Sequence, residues 1–240
     1  MSVSDKREAG QARRALVIWI AATLVLYHVP YGRVLGRPLL WLSTWAHELG
    51  HCVAAVVAGG RCEALTLYAD GSGVAPWSGD IGRLGRAFIS AGGLCGPAVA
   101  AAVLFVLAGG PRKARAGLLL FAGAMLASGA LLVRTPFGLA FVAAFGLACA
   151  LVAWRASAAV AQPVVAFLAV QLSLSVYSRA DYLFVASAHT GAGTFPSDVA
   201  QMAENLLLPY WFWGGVCGAF SLATLLVGLW LFLRRPRTTA

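Results

Sequence analysis

The stretch of residues 38–60 reads PLLWLSTWAHELGHCVAAVVAGG. It begins with a proline, which suits the first turn of a helix, and it ends at a Gly-Gly pair, which helices disfavour. The stretch therefore predicts one apolar helix of about 20 residues, the length that crosses a hydrocarbon core. Its centre carries His47, Glu48 and His51, and ionisable residues at membrane depth indicate a functional site.

The composition of the whole chain is that of a membrane protein. Of 240 residues, 60% are hydrophobic and 11% are charged, whereas soluble domains average roughly 25% charged residues. A soluble globular domain is excluded on this ground, and a disordered chain is excluded because apolar residues are abundant and charge is sparse. At about 20 residues per span, the apolar residues would fill roughly seven transmembrane helices.

We therefore predict an all-α polytopic membrane protein with six to seven transmembrane helices. A single integral membrane domain is expected over residues 15–233, between a basic N-terminal tail at 1–14 and a basic C-terminal tail at 234–240. The seven apolar runs are 15–34, 38–60, 87–107, 116–133, 137–154, 158–177 and 210–232.

Two longer polar stretches interrupt the apolar runs. In residues 61–86, Leu65 and Leu67 alternate with polar residues before an Asp-Gly turn at 70–71, a pattern that predicts a short β-hairpin after the helix of residues 38–60. Residues 178–208 are predicted to form a loop.

The positive charge of the chain does not indicate nucleic-acid binding. The formal net charge is +9, but the Lys and Arg residues lie in short clusters between apolar runs, as they do at the helix ends of membrane proteins. We expect the lipid bilayer to be the partner of these clusters, and we expect no nucleic-acid partner.

The cysteine pattern predicts neither a disulfide framework nor a metal site. The cysteines are odd in number and lack a CxxC spacing, so they are interpreted as small apolar fillers. They are Cys52, Cys62, Cys95, Cys149 and Cys217.

Residues 47–51 form an H-E-x-x-H motif. Residues four apart share one face of a helix, so His47 and His51 can both direct imidazole nitrogens at one metal ion. Glu48 lies further round the helix and can take a proton from a water on that metal, the general-base role in metal-assisted peptide hydrolysis. The alternative is that the three side chains only satisfy one another by hydrogen bonds inside the bundle.

Further features follow the motif in order along the chain. They are the Gly59-Gly60 stop, the hairpin at 61–77, and an apolar run with Gly92-Gly93 and Gly96-Pro97. Together with the motif, they resemble the site-2 protease family of intramembrane zinc metalloproteases, most closely its M50B-like branch. The likeness covers residues 38–108 and 171–213. The small residues at 92, 93 and 96 would let the third apolar run approach the metal helix closely.

The resemblance implies a zinc-dependent intramembrane endopeptidase that hydrolyses peptide bonds in or near transmembrane segments of other membrane proteins. It implies one zinc ion per chain and a multi-pass protein of the cell (plasma) membrane. The free strand edge of the hairpin would then pair with an extended part of the substrate.

The third metal ligand is predicted from the same resemblance. The family completes its site with an aspartate from a later helix, usually in a Leu-Asp-Gly segment that this chain lacks. Asp70, in the hairpin turn, is assigned to turn formation. Asp181 resembles the aspartate of the branch's Tyr-Ser-x-x-Asp segment, and we predict it as the third ligand. Asp198 resembles the aspartate of a Ser-Asp-Ala segment and is the second candidate, although with Gln201 it could also form a helix N-cap.

Non-proteolytic functions are the alternative. The motif could serve a metal-binding membrane protein or transporter, or an inactive homologue of the protease. A transporter should show two matching halves with interrupted helices, and the chain shows no such repeat.

Overall fold

The computed structural model describes residues 36–177 and 183–234, together with positions 14, 16–21, 23, 25 and 34. These residues are mostly helical. The helices are α1 (Arg37–Val57), α2 (Arg83–Leu107), α3 (Pro111–Leu131), α4 (Pro136–Arg155), α5 (Ala158–Ser173), α6 (Asp198–Leu206) and α7 (Tyr210–Arg234), with a 3-10 helix at Ser175–Tyr177. The strands are β1 (Arg61–Cys62), β2 (Thr66–Leu67), β3 (Gly73–Val74), β4 (Trp77–Ser78), β5 (Ser187–Thr190) and β6 (Gly193–Pro196).

Within the described residues, four helices are long and apolar enough to cross a membrane: α2, α3, α4 and the Tyr210–Leu233 part of α7. Helix α5 is apolar but shorter, and α1 has 21 residues but carries the ionisable side chains of the motif, which lower its mean hydropathy. The coarser part of the prediction, a mostly helical chain with candidate membrane-spanning helices and short β-hairpin structure, is confirmed. The number of seven spans stays a prediction, and the first apolar run, 15–34, lies mostly outside the described residues.

Helices α3 and α4 pack side by side, and their side chains contact the tryptophans of α1. The turn between them ends at Thr135, whose hydroxyl accepts a hydrogen bond from Gly138 N at 3.3 Å and so caps α4. The indole Nε1 of Trp45 in α1 donates to Ser128 Oγ of α3 at 2.9 Å, and its ring packs edge-on against Phe121. These buried contacts hold α1 in place close to its motif.

The polar stretch after α1 forms two short antiparallel strand pairs, β1 with β4 and β2 with β3. In the β2–β3 turn, Asp70 Oδ1 accepts a hydrogen bond from Ser72 N at 2.8 Å, and Gly71 has φ 94°, a conformation that favours glycine. Thr44 Oγ1 of α1 donates to Gly71 O at 2.6 Å. The turn therefore lies along the helix that carries the motif.

The polar stretch predicted to be a loop contains a second hairpin and a short helix. Strands β5 and β6 pair antiparallel, and α6 follows directly. Ser197 is the N-cap of α6, because its Oγ accepts a hydrogen bond from Ala200 N at 3.2 Å. The alternative interpretation of Asp198 as the N-cap is therefore wrong: Asp198 is the first residue inside the helix, and its carboxylate is available for other contacts.

One pair of cysteines has a structural role that the sequence analysis did not predict. Cys52 of α1 and Cys62 of β1 form a disulfide, with their Cα atoms 4.8 Å apart. The interpretation of these two residues as apolar fillers is wrong, because the fold returns the chain after α1 to the side of that helix.

Candidate metal centre

Helix α1 presents His47 and His51 on one face, one helical turn apart. Their Nε2 atoms lie 3.1 Å from each other, and the two rings are nearly perpendicular, at 89°. Two ring nitrogens at this separation are directed at a common point, as the i, i+4 spacing predicts.

Helix α6 brings a carboxylate to the same point. Asp198 Oδ2 lies 3.1 Å from His47 Nε2, and Asp198 Oδ1 lies 3.4 Å from His51 Nε2. The carboxylate is 5% exposed, and each of its oxygens faces one of the two imidazole nitrogens. Buried charged groups are paired or coordinate a metal, so this arrangement of one carboxylate and two imidazoles is compatible with a bound cation.

The tautomer of His51 leaves its second ring nitrogen free to bind a metal. His51 Nδ1 lies 2.8 Å from the carbonyl oxygen of Ile89 in α2, and a carbonyl can only accept, so Nδ1 carries the proton. In the neutral ring, Nε2 then offers a lone pair toward His47 and Asp198. Metal-bound histidines commonly donate their other ring nitrogen to an outer partner in this way.

The separations between the three groups fit a tetrahedral ion. Donor atoms about 2.0 to 2.2 Å from a shared tetrahedral centre are about 3.3 to 3.6 Å apart. The separations of 3.1, 3.1 and 3.4 Å, of which the last two are to different oxygens of the carboxylate, are close to that range. Two imidazoles and one carboxylate are also a donor set found at catalytic zinc, where the fourth position is left for water.

The close contact of α1 and α2 allows His51 to reach its partners. A Cβ at Gly93 would lie 2.2 Å from His51 Nε2, and a Cβ at Gly50 would lie 2.2 Å from the carbonyl oxygen of Gly92. Side chains at these positions would separate the helices and move the Ile89 carbonyl away from His51. The prediction that small residues let the two helices approach closely is confirmed.

Glu48 lies in the same cavity as the two histidines and Asp198. It is 5% exposed, and a Cβ at Gly73 of β3 would lie 2.9 Å from its Oε1. Glycine at this point of the strand therefore leaves room for the carboxylate. The cavity has a volume of about 160 Å³, which is enough for water beside the three donor groups.

The charge state of Asp198 suits a ligand. Burial by itself raises the pKa of the Asp198 carboxyl. The nearby charges on His51 and His47, and the hydrogen bonds that these residues donate, outweigh burial and hold this pKa below its ordinary value. The carboxylate is therefore ionised at neutral pH.

The structure brings together three of the four predicted site residues, His47, Glu48 and His51, with the second candidate Asp198. The preferred third ligand, Asp181, lies outside the described residues. Sequence reasoning missed the Ile89 carbonyl and Gln201, which lines the cavity. A backbone carbonyl carries no sequence signal, and Gln201 had been noticed only as a possible capping partner.

The chain was compared with protein families, curated proteins and solved structures. Residues 16–228 match the family described as peptidase M50B-like. The other two comparisons give no significant match. The matched range contains α1, α6 and all the residues of the metal centre. The chain therefore belongs to the peptidase M50B-like family.

Proposed function

We propose that this protein is a zinc-dependent endopeptidase that hydrolyses peptide bonds within the membrane. The observation that carries the proposal is the convergence of His47, His51 and Asp198 on one point beside Glu48, in a cavity of a chain that belongs to a peptidase family.

We propose Asp198, rather than Asp181, as the third ligand. Its support is the pair of distances to the two histidines, 3.1 and 3.4 Å. Its place at the first turn of α6 also fits, because the Ser197 cap fixes the backbone immediately before it. The proposed set holds one zinc ion per chain.

The residues of the cavity divide the reaction between them. Bound zinc would supply a Lewis acid that polarises the peptide carbonyl and makes water more acidic. Glu48 accepts the proton of the attacking water and returns it to the leaving amine, as a general base and then a general acid. Ile89 holds the ring of His51 in one orientation through its carbonyl oxygen. Burial of Glu48 and Asp198 limits the access of bulk water.

The proposed substrates are segments of other membrane proteins, in or near the bilayer. The four helices that are long and apolar enough to cross a membrane support this proposal, because a metal centre in such a chain would meet substrates at the bilayer. We propose the plasma membrane as its location.

Substitution of Glu48 by Gln tests the function. We expect Glu48→Gln to abolish cleavage of a membrane-protein substrate reconstituted with the purified protein, and to leave about one equivalent of zinc bound, since Glu48 is not a ligand. Glu204→Gln is the matched control, because Glu204 is exposed on α6 and outside the cavity lining. Undiminished proteolysis by Glu48→Gln would refute the proposed function.

A further inference from the structure

The β5–β6 hairpin forms one wall of the metal cavity. The cavity-lining residues of this wall are Ala188, Thr190, Phe195 and Pro196. A second wall comes from the strands after α1, with the residues Gly73, Val74, Ala75 and Trp77. The ligands and Glu48 lie between these two segments, so the cavity is a slot with a hairpin on either side.

The turns of the two hairpins touch each other. Gly191 N, in the β5–β6 turn, donates to Ser72 Oγ at 3.0 Å, and Ser72 Oγ donates to Asp70 Oδ1 at 2.7 Å. The backbone of Gly191 also packs on the ring of Tyr68, since a Cβ there would lie 2.7 Å from Tyr68 Cγ. Residues more than a hundred positions apart in the chain thus join the walls of the slot at one end.

The slot in this form is too small for a polypeptide. Its volume of about 160 Å³ is close to the roughly 150 Å³ of a protein cavity that holds one benzene molecule. An extended segment of four residues is already about 13 Å long. The space between the joined walls therefore admits water, and it would have to widen to hold a peptide segment of this length.

We propose that the turn of the β5–β6 hairpin must leave Ser72 and Tyr68 before an extended peptide segment can enter the slot between residues 73–77 and this hairpin. This inference rests on the proposed function for the identity of the occupant, an extended peptide segment. The movement of the hairpin is a property of the chain alone.

The contacts of the hairpin show where it can move. At its base, Ser197 Oγ donates to Val185 O at 2.6 Å, Ser197 N donates to Ala186 O at 3.0 Å, and Gln201 Nε2 donates to Pro196 O at 3.2 Å. At the other end, the described contacts of the β5–β6 turn with the β2–β3 turn are the hydrogen bond from Gly191 to Ser72 and the packing of Gly191 on the Tyr68 ring. The base is therefore the anchored end, and the turn is the end that releases.

Thiol labelling measures this release without catalysis. Ala188 lines the slot and is 4% exposed, so Ala188→Cys reports access to it in the full-length protein. We expect a small maleimide to react faster than a bulky polyethylene glycol maleimide. Adding Ser72→Ala removes the hydrogen bond to Gly191 and is expected to raise the rate of the bulky reagent about two- to tenfold, the factor that corresponds to one net hydrogen bond. The parent chain without Ala188→Cys gives the background from the native cysteines.

Ser78→Ala is the matched control, because Ser78 of β4 donates a hydrogen bond to Glu63, which follows β1, and does not line the slot. Gly191→Ala provides an independent variant, in which the new methyl group meets the Tyr68 ring and should also speed labelling. Equal rates of bulky labelling in Ser72→Ala, Gly191→Ala and Ser78→Ala would overturn the inference.

Cleavage assays separate this inference from the proposed function. If the hairpin must open for substrate, Ser72→Ala raises kcat/KM for a membrane-protein substrate, and Ser78→Ala leaves it unchanged. If Ser72→Ala speeds labelling but the protein cleaves no substrate, the proposed protease function is refuted and the proposed movement of the hairpin is supported. If the protein cleaves its substrate, and Ser72→Ala changes neither the labelling rate nor kcat/KM, the proposed movement of the hairpin is refuted and the proposed protease function is supported.

Discussion

Substitution of Gly93 by Ala should remove metal binding while leaving the fold in place. The new Cβ would lie 2.2 Å from His51 Nε2 and 2.3 Å from His51 Cε1. Non-bonded heavy atoms need about 3.5 Å, so the ring or the helix must move by about 1.3 Å. Metal–ligand distances tolerate only about 0.2 Å. His51 therefore cannot remain a ligand in its present position.

The expected magnitudes separate metal loss from unfolding. Displacing an outer partner of a metal ligand lowers affinity about 10- to 100-fold, and moving the ligand itself should lower it by at least that factor. Overpacking costs about 1 to 3 kcal/mol in the free energy of unfolding, and replacing a helical glycine by alanine returns up to about 1 kcal/mol. The net loss of stability is thus about 0 to 3 kcal/mol, which lowers the melting temperature without preventing folding.

The assay is chelator competition for zinc in detergent, with the melting temperature of the metal-free protein as a second measurement. Gly123→Ala is the matched control, because it lies in helix α3 and a Cβ there meets nothing within 4 Å. We expect the control to bind zinc as the unchanged protein does. Gly93→Ala with unchanged zinc affinity would show that the ring of His51 is not a ligand where the structure has it.

Three further predictions concern the groups around the centre. Asp198→Ala should lose zinc measured by metal analysis, whereas Asp181→Ala should keep about one equivalent; the reverse result would make Asp181 the ligand. Ser197→Ala removes the cap of α6, worth about 1 kcal/mol, and should weaken zinc binding in chelator competition. Ser187→Ala, at an exposed position of β5, should not. Trp45→Phe removes the hydrogen bond to Ser128, and it should lower the melting temperature by an amount that corresponds to about 0.6 to 1.7 kcal/mol. The zinc content should not change. A loss of zinc would mean that this hydrogen bond positions the motif.

The relative positions of His47 and His51 could be predicted from the sequence, because they depend only on helix geometry. Residues four apart in an apolar run share a face whatever the rest of the fold does, so His47 and His51 were placed together correctly. The close approach of α1 and α2 at Gly93 was also predictable, since small residues permit it. These predictions need no knowledge of which distant segments meet.

The distant half of the site could not be predicted in the same way. Asp198 reaches the histidines through a hairpin and a short helix within a stretch that the sequence indicated only as a polar loop. From the sequence, either Ser197 or Asp198 could be the N-cap of α6. The hydrogen bond from Ala200 N to Ser197 Oγ shows that the cap is Ser197. The Cys52–Cys62 disulfide was missed for a related reason, because a bond between a helix and a strand leaves no spacing rule in the sequence.

The position of Ser197 constrains how the β5–β6 hairpin can open without releasing the metal. Ser197 precedes the ligand Asp198, caps α6, and bonds Val185 and Ala186 at the base of the hairpin. A hinge at Ser197 would break the cap and move the carboxylate from the histidines. The movement must therefore arise within residues 187–196, beyond these bonds. Because α6 also buries Val199 and Met202, the ligand stays anchored while the turn of the hairpin leaves Ser72, and substrate entry need not disturb the centre that acts on it.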